Sequence, residues 1–420
     1  MGTFNNARET RVTAKGTQTA LVLGGGFAGV ETAIHLRRAG LEVTLVSERR
    51  HLFVYPTSIW VVTGEHRIEQ DLMDLQDLAK QHQFDLVLGK VDRVDAGRRL
   101  ATVDGRDMSA DILVLALGAG RKHLPGVENT TTIWGAPADT VALAARLQAL
   151  VDKGEGKIAV GFGGNPADPS AIRGGPAFEV MFNILHLLKK RRLRDRFELS
   201  FFAPMPNPGA RMGDKAAAMV RKQFEAAGVK LYFGKKLEGF DAQGVKLEGG
   251  GRVDAGLVVY VPGGAGHPVL ADADLPLNEA GFVRIDQTCK VDGHDNVYAV
   301  GDVAALAGPD WRAKQGHLAE VMARVAASAI LSRIRGETPT ESYLDHMSVI
   351  CLMDSGNGAT FVHRDERRAR LVPLPLIGHW LKKAWGYYYR WTKYRAPRWL
   401  LWATRELFSK RRHAPLRAHH

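Results

Sequence analysis

"TALVLGGGFAGVETAIHLRRAGLEVTLVSERR", residues 19–50, reads as an apolar strand, a glycine turn, an amphipathic helix and a second strand. Gly24, Gly26 and Gly29 stand in the spacing GxGxxG between strand and helix, and Glu48 closes the second strand 19 residues after Gly29. Each glycine answers a separate need: a tight turn, close approach of backbone to a pyrophosphate, and close packing of helix on strand. GxGxxG alone is a weak signal. Flanked by strand, helix and an acid at this distance, it predicts a dinucleotide site in an α/β fold.

Outward from this unit, residues 84–120 read as short alternating strands followed by the apolar strand "ADILVLALGAG", a meander returning into the sheet. Residues 281–306, "GFVRIDQTCKVDGHDNVYAVGDVAAL", repeat the form of strand, turn and strand and end on Gly301-Asp302 before a helical run. A carboxylate there can reach a ribityl or ribose hydroxyl, and the next helix offers its positive end to a ring carbonyl. Turn-rich segments near 123–135, 275–285 and 336–345 divide the chain. The expected organisation is 18–122 and 281–335 as two parts of one dinucleotide domain, 123–280 as a second Rossmann-like domain, and 336–420 as a C-terminal region.

The second domain opens on "KIAVGFGGNPADPSAIRGGPAFEV", residues 157–180. Its strand and Gly161, Gly163 and Gly164 begin like another phosphate loop. Pro166, Pro169 and Pro176 then oppose a helix across the turn that would hold the pyrophosphate, so the helix is expected only near Pro176-Ala177. The prediction is a Rossmann-like shell without a nicotinamide fingerprint.

Composition narrows the partners. The 420 residues are 45% hydrophobic and carry a formal charge of +12, and from Ile377 to His420 eleven Lys and Arg face one acid, so nearly all of the excess is in the tail. That tail holds five of the eight Trp and four of the nine Tyr. Basic residues interleaved with Trp and Tyr suit a helix lying in a headgroup layer, so residues 377–412 are expected to contact a membrane surface; the rival readings are a helical hairpin packed on the body with a solvated basic face, which this aromatic density fits poorly, and a nucleic-acid surface, and no nucleic-acid partner is expected. No window reaches the ~18 apolar residues of a spanning helix and no secretory signal opens the chain, which gives a peripheral protein with the cytoplasmic side as default. Cys289 and Cys351 are the two cysteines: too few for a disulfide framework, without zinc spacing, and no metal site is expected. The run at 189–196 reads as a solvated helix end.

The glycine loop, "ADILVLALGAG" and "NVYAVGDVAAL" resemble the two-dinucleotide-binding-domain flavoproteins, and the finer resemblance is to sulfide:quinone oxidoreductases. "HLFVYPTSIWVVTG" (51–64) is similar to that family's Pro-Ser-x-x-Trp-Val-x-x-Gly segment, with Thr57 for the Ser; "GGPAFE" (174–179), "AKQGHLAEVMARVAASAI" (313–330) and "VICLMDSGNGATFV" (349–362) resemble three further segments in the same order. The resemblance covers residues 19 to about 395. It implies an α/β fold of two Rossmann-like units plus a C-terminal amphipathic helical membrane-contact region, with FAD as cofactor and quinone as acceptor. FAD pyrophosphate would lie on Gly24, Gly26, Phe27, Ala28 and Gly29, with the adenosine ribose near Ser47 or Glu48, a choice the sequence leaves open. Val91 would meet adenine, Ala116, Gly118 and Gly301 would line the cofactor, Asp302 would bind the ribityl chain, and Lys314 and Gly316 would approach the ring. The tail from Leu371 onward would anchor the quinone side.

The departures concentrate on the donor. The family works through two cysteines on one flavin face; here Cys351 matches the C-terminal one, and Arg173 stands where its partner belongs. The family's further cysteine near "TIWGAPAD" and its histidine near "MPNPGARMG" are also absent. A lone Cys351 could still act if a cation such as Arg173 lowered its pKa; the rival reading is a buried small hydrophobe. Cys289 reads as core. Glu179 could relay protons to a quinone or be a helix-terminal carboxylate satisfied by backbone amides. The expected catalytic set is Cys351, Glu179 and Arg173, the expected activity electron transfer from sulfide or another small sulfur reductant through FAD to quinone. The alternatives are a type II NADH:quinone dehydrogenase, which needs an intact second loop, and a redox-silent flavin-binding protein. Whether the chain forms a homo-oligomer is left open.

Overall fold

The computed structural model describes residues 17–394. Strand β1 (Thr19–Leu23), helix α1 (Phe27–Arg38) and β2 (Glu42–Ser47) form the opening unit, followed by α2 (Leu75–His82), β3 (Asp85–Leu88), the meander β4 (Val91–Asp95), β5 (Leu100–Val103), β6 (Arg106–Ser109), and β7 (Ile112–Leu115). The glycine turn has the shape its spacing demands. Gly24 has φ +118° and a Cβ there would stand 2.3 Å from the Ala116 carbonyl oxygen; at Gly29 it would stand 1.8 Å from that of Gly24.

The second unit runs through α3 (Pro137–Lys153), β8 (Gly156–Phe162), α4 (Gly174–Lys190), β9 (Phe197–Ala203), α5 (Asp214–Ala226), β10 (Lys230–Phe233) and β11 (Leu257–Val261). The chain then returns through β12 (Val297–Ala299) and α6 (Gly316–Ile334), and closes with β13 (Val349–Asp354), β14 (Gly358–Arg364), β15 (Ala369–Pro375) and α7 (Ile377–Tyr394).

Three sheets, besides the antiparallel meander β4-β5-β6, organise these elements. The first is parallel in the order β12-β7-β1-β2-β3, the second parallel in the order β10-β9-β8-β11, and the third an antiparallel meander β13-β14-β15. Parallel strands covered on both faces bury nearly every side chain, which explains the continuous apolar runs in β1, β7 and β11. Helices α1 and α6 pack Val30, Ala33 and Ile34 with Met322, Val325 and Ala326 onto the first sheet. Helix α4 does the same for the second sheet through Val180, Met181, Ile184 and Leu188, and Phe178 stacks on Phe201 at 5.2 Å. The passage between the two units is pinned where Gly120 and Arg121 pair antiparallel with Ala265 and Gly264.

One expectation changes. Helix α4 begins at Gly174, ahead of Pro176. Proline fits there because the first-turn N–H groups have no intrahelical acceptor. The expected membrane-contact tail is described only as far as Tyr394; residues 395–420 lie outside the described residues. Helix α7, its described part, is inside out: it buries Gly378, His379, Lys382, Gly386, Tyr389 and Thr392 and exposes Trp380, Leu381, Trp385, Tyr387, Tyr388 and Trp391.

Candidate functional site

The carboxyl ends of β1, β2 and β7 and the start of α1 open into one cleft of about 3990 Å³. Gly24, Gly26, Phe27, Ala28, Ser47, Glu48, Val91, Ala116, Gly118, Gly301, Asp302, Lys314 and Gly316 all line it, and so do Arg173, Glu179 and Cys351. Gly29 alone among the expected residues lies behind the wall, packed against Gly24. Residues scattered over more than 300 positions therefore face a single space.

The glycine turn leaves its donors available. Helix α1 has Gly26 as its N-cap with no capping side chain, and a Cβ at Gly26 would meet nothing within 4 Å. Orphan N–H groups at a helix start are an anion cradle. Ser47 spends its hydroxyl on the Arg49 carbonyl oxygen at 2.7 Å, whereas the Glu48 carboxylate makes no hydrogen bond among the described residues. Glu48 is thus the group with capacity left for a ribose.

Asp302 sits on the turn before α6 and pairs with the Arg173 guanidinium. Burial pushes its carboxyl up, but Arg173 and then Lys314 outweigh that and hold it below the usual range. Lys314 is 5% exposed, donates to the Ala304 carbonyl oxygen and stands 3.8 Å over the Phe282 ring. Desolvation lowers its pKa to about 8. Arg173 also lies over the Trp134 ring at 4.5 Å.

The expected partnership of Cys351 with Arg173 is corrected. Burial, and next the Glu179 carboxylate, push the Cys351 thiol up to about 12; the cation that opposes this is Lys382 on α7. Arg173 is turned to Asp302 instead. The thiol is therefore protonated near neutral pH.

Glu179 is satisfied differently from a helix-terminal carboxylate. Its Oε1 accepts from the Asp354 backbone N–H at 2.8 Å and from Lys382 Nζ, and both side chains are under a tenth exposed. Asp354 extends the network: its Oδ2 lies 2.8 Å from His379 Nδ1, whose Nε2 is 3.5 Å from Glu65, itself 3.0 Å from Lys383. The bonds to Asp354 and Glu65 raise His379 to about 9, and the bond to His379 helps hold Glu65 near about 2. Sequence reading missed Lys382, His379, Asp354 and Glu65, because their partners lie on other elements. The one available signal was His379 and Lys382, three residues apart among aromatics on one helix face.

Farther along the cleft, Glu320 of α6 faces Lys393 at 3.1 Å, and Lys393 also contacts Glu31. Burial raises Glu320 to about 7. Trp385, Tyr388 and Thr392 line this end.

The second glycine loop is closed on itself. Asp168 Oδ1 accepts from Ser170 N at 2.9 Å and Ser170 Oγ at 2.6 Å, its Oδ2 accepts from Asn278, and Asn165 donates to the Gly264 carbonyl oxygen. Backbone N–H groups of Gly163, Ala167, Asp168, Ala171 and Ile172 are likewise committed to protein acceptors, and Pro166 and Pro169 have none to offer.

Two dinucleotide-type sheets, an open first cradle and a shared cleft define a flavoprotein-like reductase, and residues 18–327 match the family described as pyridine nucleotide-disulphide oxidoreductase. The chain belongs to that family. Within it the chain is sulfide:quinone oxidoreductase-like, a flavin-dependent oxidoreductase with FAD as cofactor. It is 26% identical over 397 residues to the sulfide-quinone reductase of Aquifex aeolicus, covering 88% of this chain and 90% of that protein. It is 24% identical over 403 residues to the type II NADH:quinone oxidoreductase Ndh of Mycobacterium tuberculosis, covering 85% and 80%. The crystal structure of the Aquifex aeolicus sulfide:quinone oxidoreductase superposes with a TM-score of 0.82 at 24% identity, covering 94% of this chain and 96% of that one. The open cradle at Gly26, the uncapped start of α1 and the unbonded Glu48 fit FAD.

Proposed function

We propose that the protein is a membrane-peripheral FAD oxidoreductase that takes electrons from a small sulfur reductant on the Cys351 side of the cleft and passes them to a quinone. The two curated relatives named above differ in donor, sulfide against NADH, and share quinone in their names. The observation that favours the first donor class is the segment between β8 and α4, where the N–H groups of Gly163, Ala167, Asp168, Ser170, Ala171 and Ile172 are committed within the protein and Pro166 and Pro169 interrupt the turn, so the start of α4 lacks the glycine cradle that leads into α1.

FAD supplies the two-electron chemistry when bound. The chain's part is to bind, orient and move protons. Gly24, Gly26, Phe27 and Ala28 with the start of α1 would hold the pyrophosphate, with Gly29 letting the helix pack close behind them; Glu48 would hold the ribose and Val91 the adenine. Ala116, Gly118, Gly301 and Gly316 would shape the walls, Asp302 would hold the ribityl chain, and buried Lys314 would offer the ring a positive charge. Arg173 keeps Asp302 ionised and oriented. Glu179, linked to Lys382, receives protons released beside Cys351; Glu320, raised to about 7, is poised to deliver protons at the other end. The outward aromatic face of α7 suits a lipid interface, since Lys382, Lys383 and Lys393 are turned to carboxylates of the body and Arg390 to the Leu72 carbonyl oxygen. Among the described residues no helix is long and apolar enough to cross a membrane.

The test is anaerobic mixing of the yellow holoprotein with sulfide or NADH. Bleaching by sulfide and not by NADH supports the reading. Bleaching by NADH within a turnover time overturns the donor assignment; if neither bleaches the flavin, a sulfur reductant that carries its own oxyanion, such as thiosulfate or mercaptoacetate, is mixed next, and only its failure as well favours a redox-silent flavin protein.

A further inference from the structure

Three side chains that line the cleft carry hydrogen-bond donors with no acceptor among the described residues. The Tyr55 hydroxyl is fully buried and unpartnered, its acidity suppressed by that burial. Arg173 has a side chain only 10% exposed; it gives one Nη to Asp302 and leaves Nε unpaired. Arg211, on the turn after β9, reaches the Ile172 carbonyl oxygen with Nη1 at 3.5 Å and leaves Nη2 buried and unpaired. All three line the cleft. Arg211 and Arg173 are thus brought to the same point of the chain, one bonded to residue 172 and the other at residue 173.

This arrangement is costly without a ligand. A buried donor without an acceptor has lost its hydrogen bonds to water and gained none in return. Burial, and then the neighbouring Arg312 charge, pull Arg211 down to about 10, so Arg211 shares its surroundings with the Arg312 guanidinium. Arg173 is also the N-cap of α4, with no side chain capping that 17-residue helix, and Gly174 and Gly175 of its first turn line the same cleft. The positive end of the helix adds to both arginines. Tyr55 couples this group to the reacting end: Arg173, Glu179, Asp302 and Cys351 all act on its hydroxyl.

We propose that Tyr55, Arg173 and Arg211 form a docking subsite for an oxyanion, so that the electron donor is a small sulfur compound carrying a sulfonate-type or carboxylate group rather than the bare hydrosulfide ion. The reason is geometric. Donors from three separate elements need an acceptor with several oxygens, and guanidinium forks match such groups. A single soft sulfur atom cannot take up all three. Arg173 and Arg211 belong to the second unit, across the cleft from the glycine cradle of the first.

This rests on the reading that the donor enters beside Cys351, but its test needs no donor. Oxidised holoenzyme is titrated with methanesulfonate or with acetate, at constant ionic strength set by chloride, and the flavin absorption band is followed. A saturable change with one anion is expected; which one responds separates sulfur oxyanions from carboxylates. Arg211→Gln and Tyr55→Phe should each weaken that binding by about tenfold or more with FAD content unchanged, and Arg211→Lys should recover part of it. No saturable change with either anion overturns the proposal. So does binding that survives both Arg211→Gln and Tyr55→Phe, and so does release of FAD by the anion, which would assign the free donors to the cofactor. Because no reductant is present, a failure here is separate from failure to bleach with sulfide.

Discussion

Replacing His379 with Gln should remove a pH-dependent clamp on α7. The imidazole lies between Asp354 of β13 and Glu65, with His186 of α4 and with Lys382 and Lys383 of its own helix also acting on the group. Raising its equilibrium from 6.5 to about 9 corresponds to about 3 kcal/mol of preference for the charged form in the folded state. Glu65 is partly exposed, so screening brings the expected contribution to about 2 kcal/mol. The folded-state pKa is raised, so this stability is fully present below about pH 6.5 and disappears as pH rises through about 9. Glu65 runs the opposite way: its share is present above its ordinary 4.5 and is lost as pH falls through about 2. Urea unfolding of wild-type and His379→Gln holoprotein at several pH values between about 6 and 10 reads the difference directly. The expected gap is about 2 kcal/mol at the acidic end, closing toward the alkaline end. A gap of equal size at every pH would refute the clamp, since it would mean the ring contributes only packing against Trp60, 5.6 Å away.

Lys382→Met should cost about 3–5 kcal/mol by stranding the buried Glu179 carboxylate, and adding Glu179→Gln should recover part of it; equal losses in single and double variants would argue against the pair. Gly29→Ala, whose Cβ would fall 1.8 Å from the Gly24 carbonyl oxygen, should yield protein purified with little FAD, seen in the ratio of flavin to protein absorbance. Cys351, with its thiol near about 12, should react with iodoacetamide at pH 8 about a thousandfold more slowly than free cysteine, measured by mass spectrometry on holoprotein; rapid labelling would show a thiolate. Deleting residues 395–420 should leave the body folded yet weaken flotation with anionic vesicles, whereas deletion from 377 should also unfold it, because His379, Lys382 and Tyr389 are part of the interior.

The first cradle was legible in the sequence because everything that shapes it is local. Positive φ at Gly24, the contact of Gly29 with Gly24 and the strand-helix-strand periodicity all lie within residues 19–50. The proline interruption of the second loop was legible for the same reason. Its closure was not, since Asn278 meets Asp168 across 110 residues.

What the sequence by itself determined was the α/β class, the GxGxxG cradle, the prolines that break the second loop and the aromatic, basic character of the tail. What only the tertiary structure decided was pairing. Arg173 reaches Asp302 over 129 residues, Lys382 reaches Glu179 over 203, and together these choices leave Cys351 a protonated thiol rather than a cation-activated one. They also turn α7 inside out. Helical periodicity shows that a helix has two faces, but which one is buried depends on what waits beneath it. Here Glu179 and Asp354 demand cations, so the charged face goes in and the tryptophans go out.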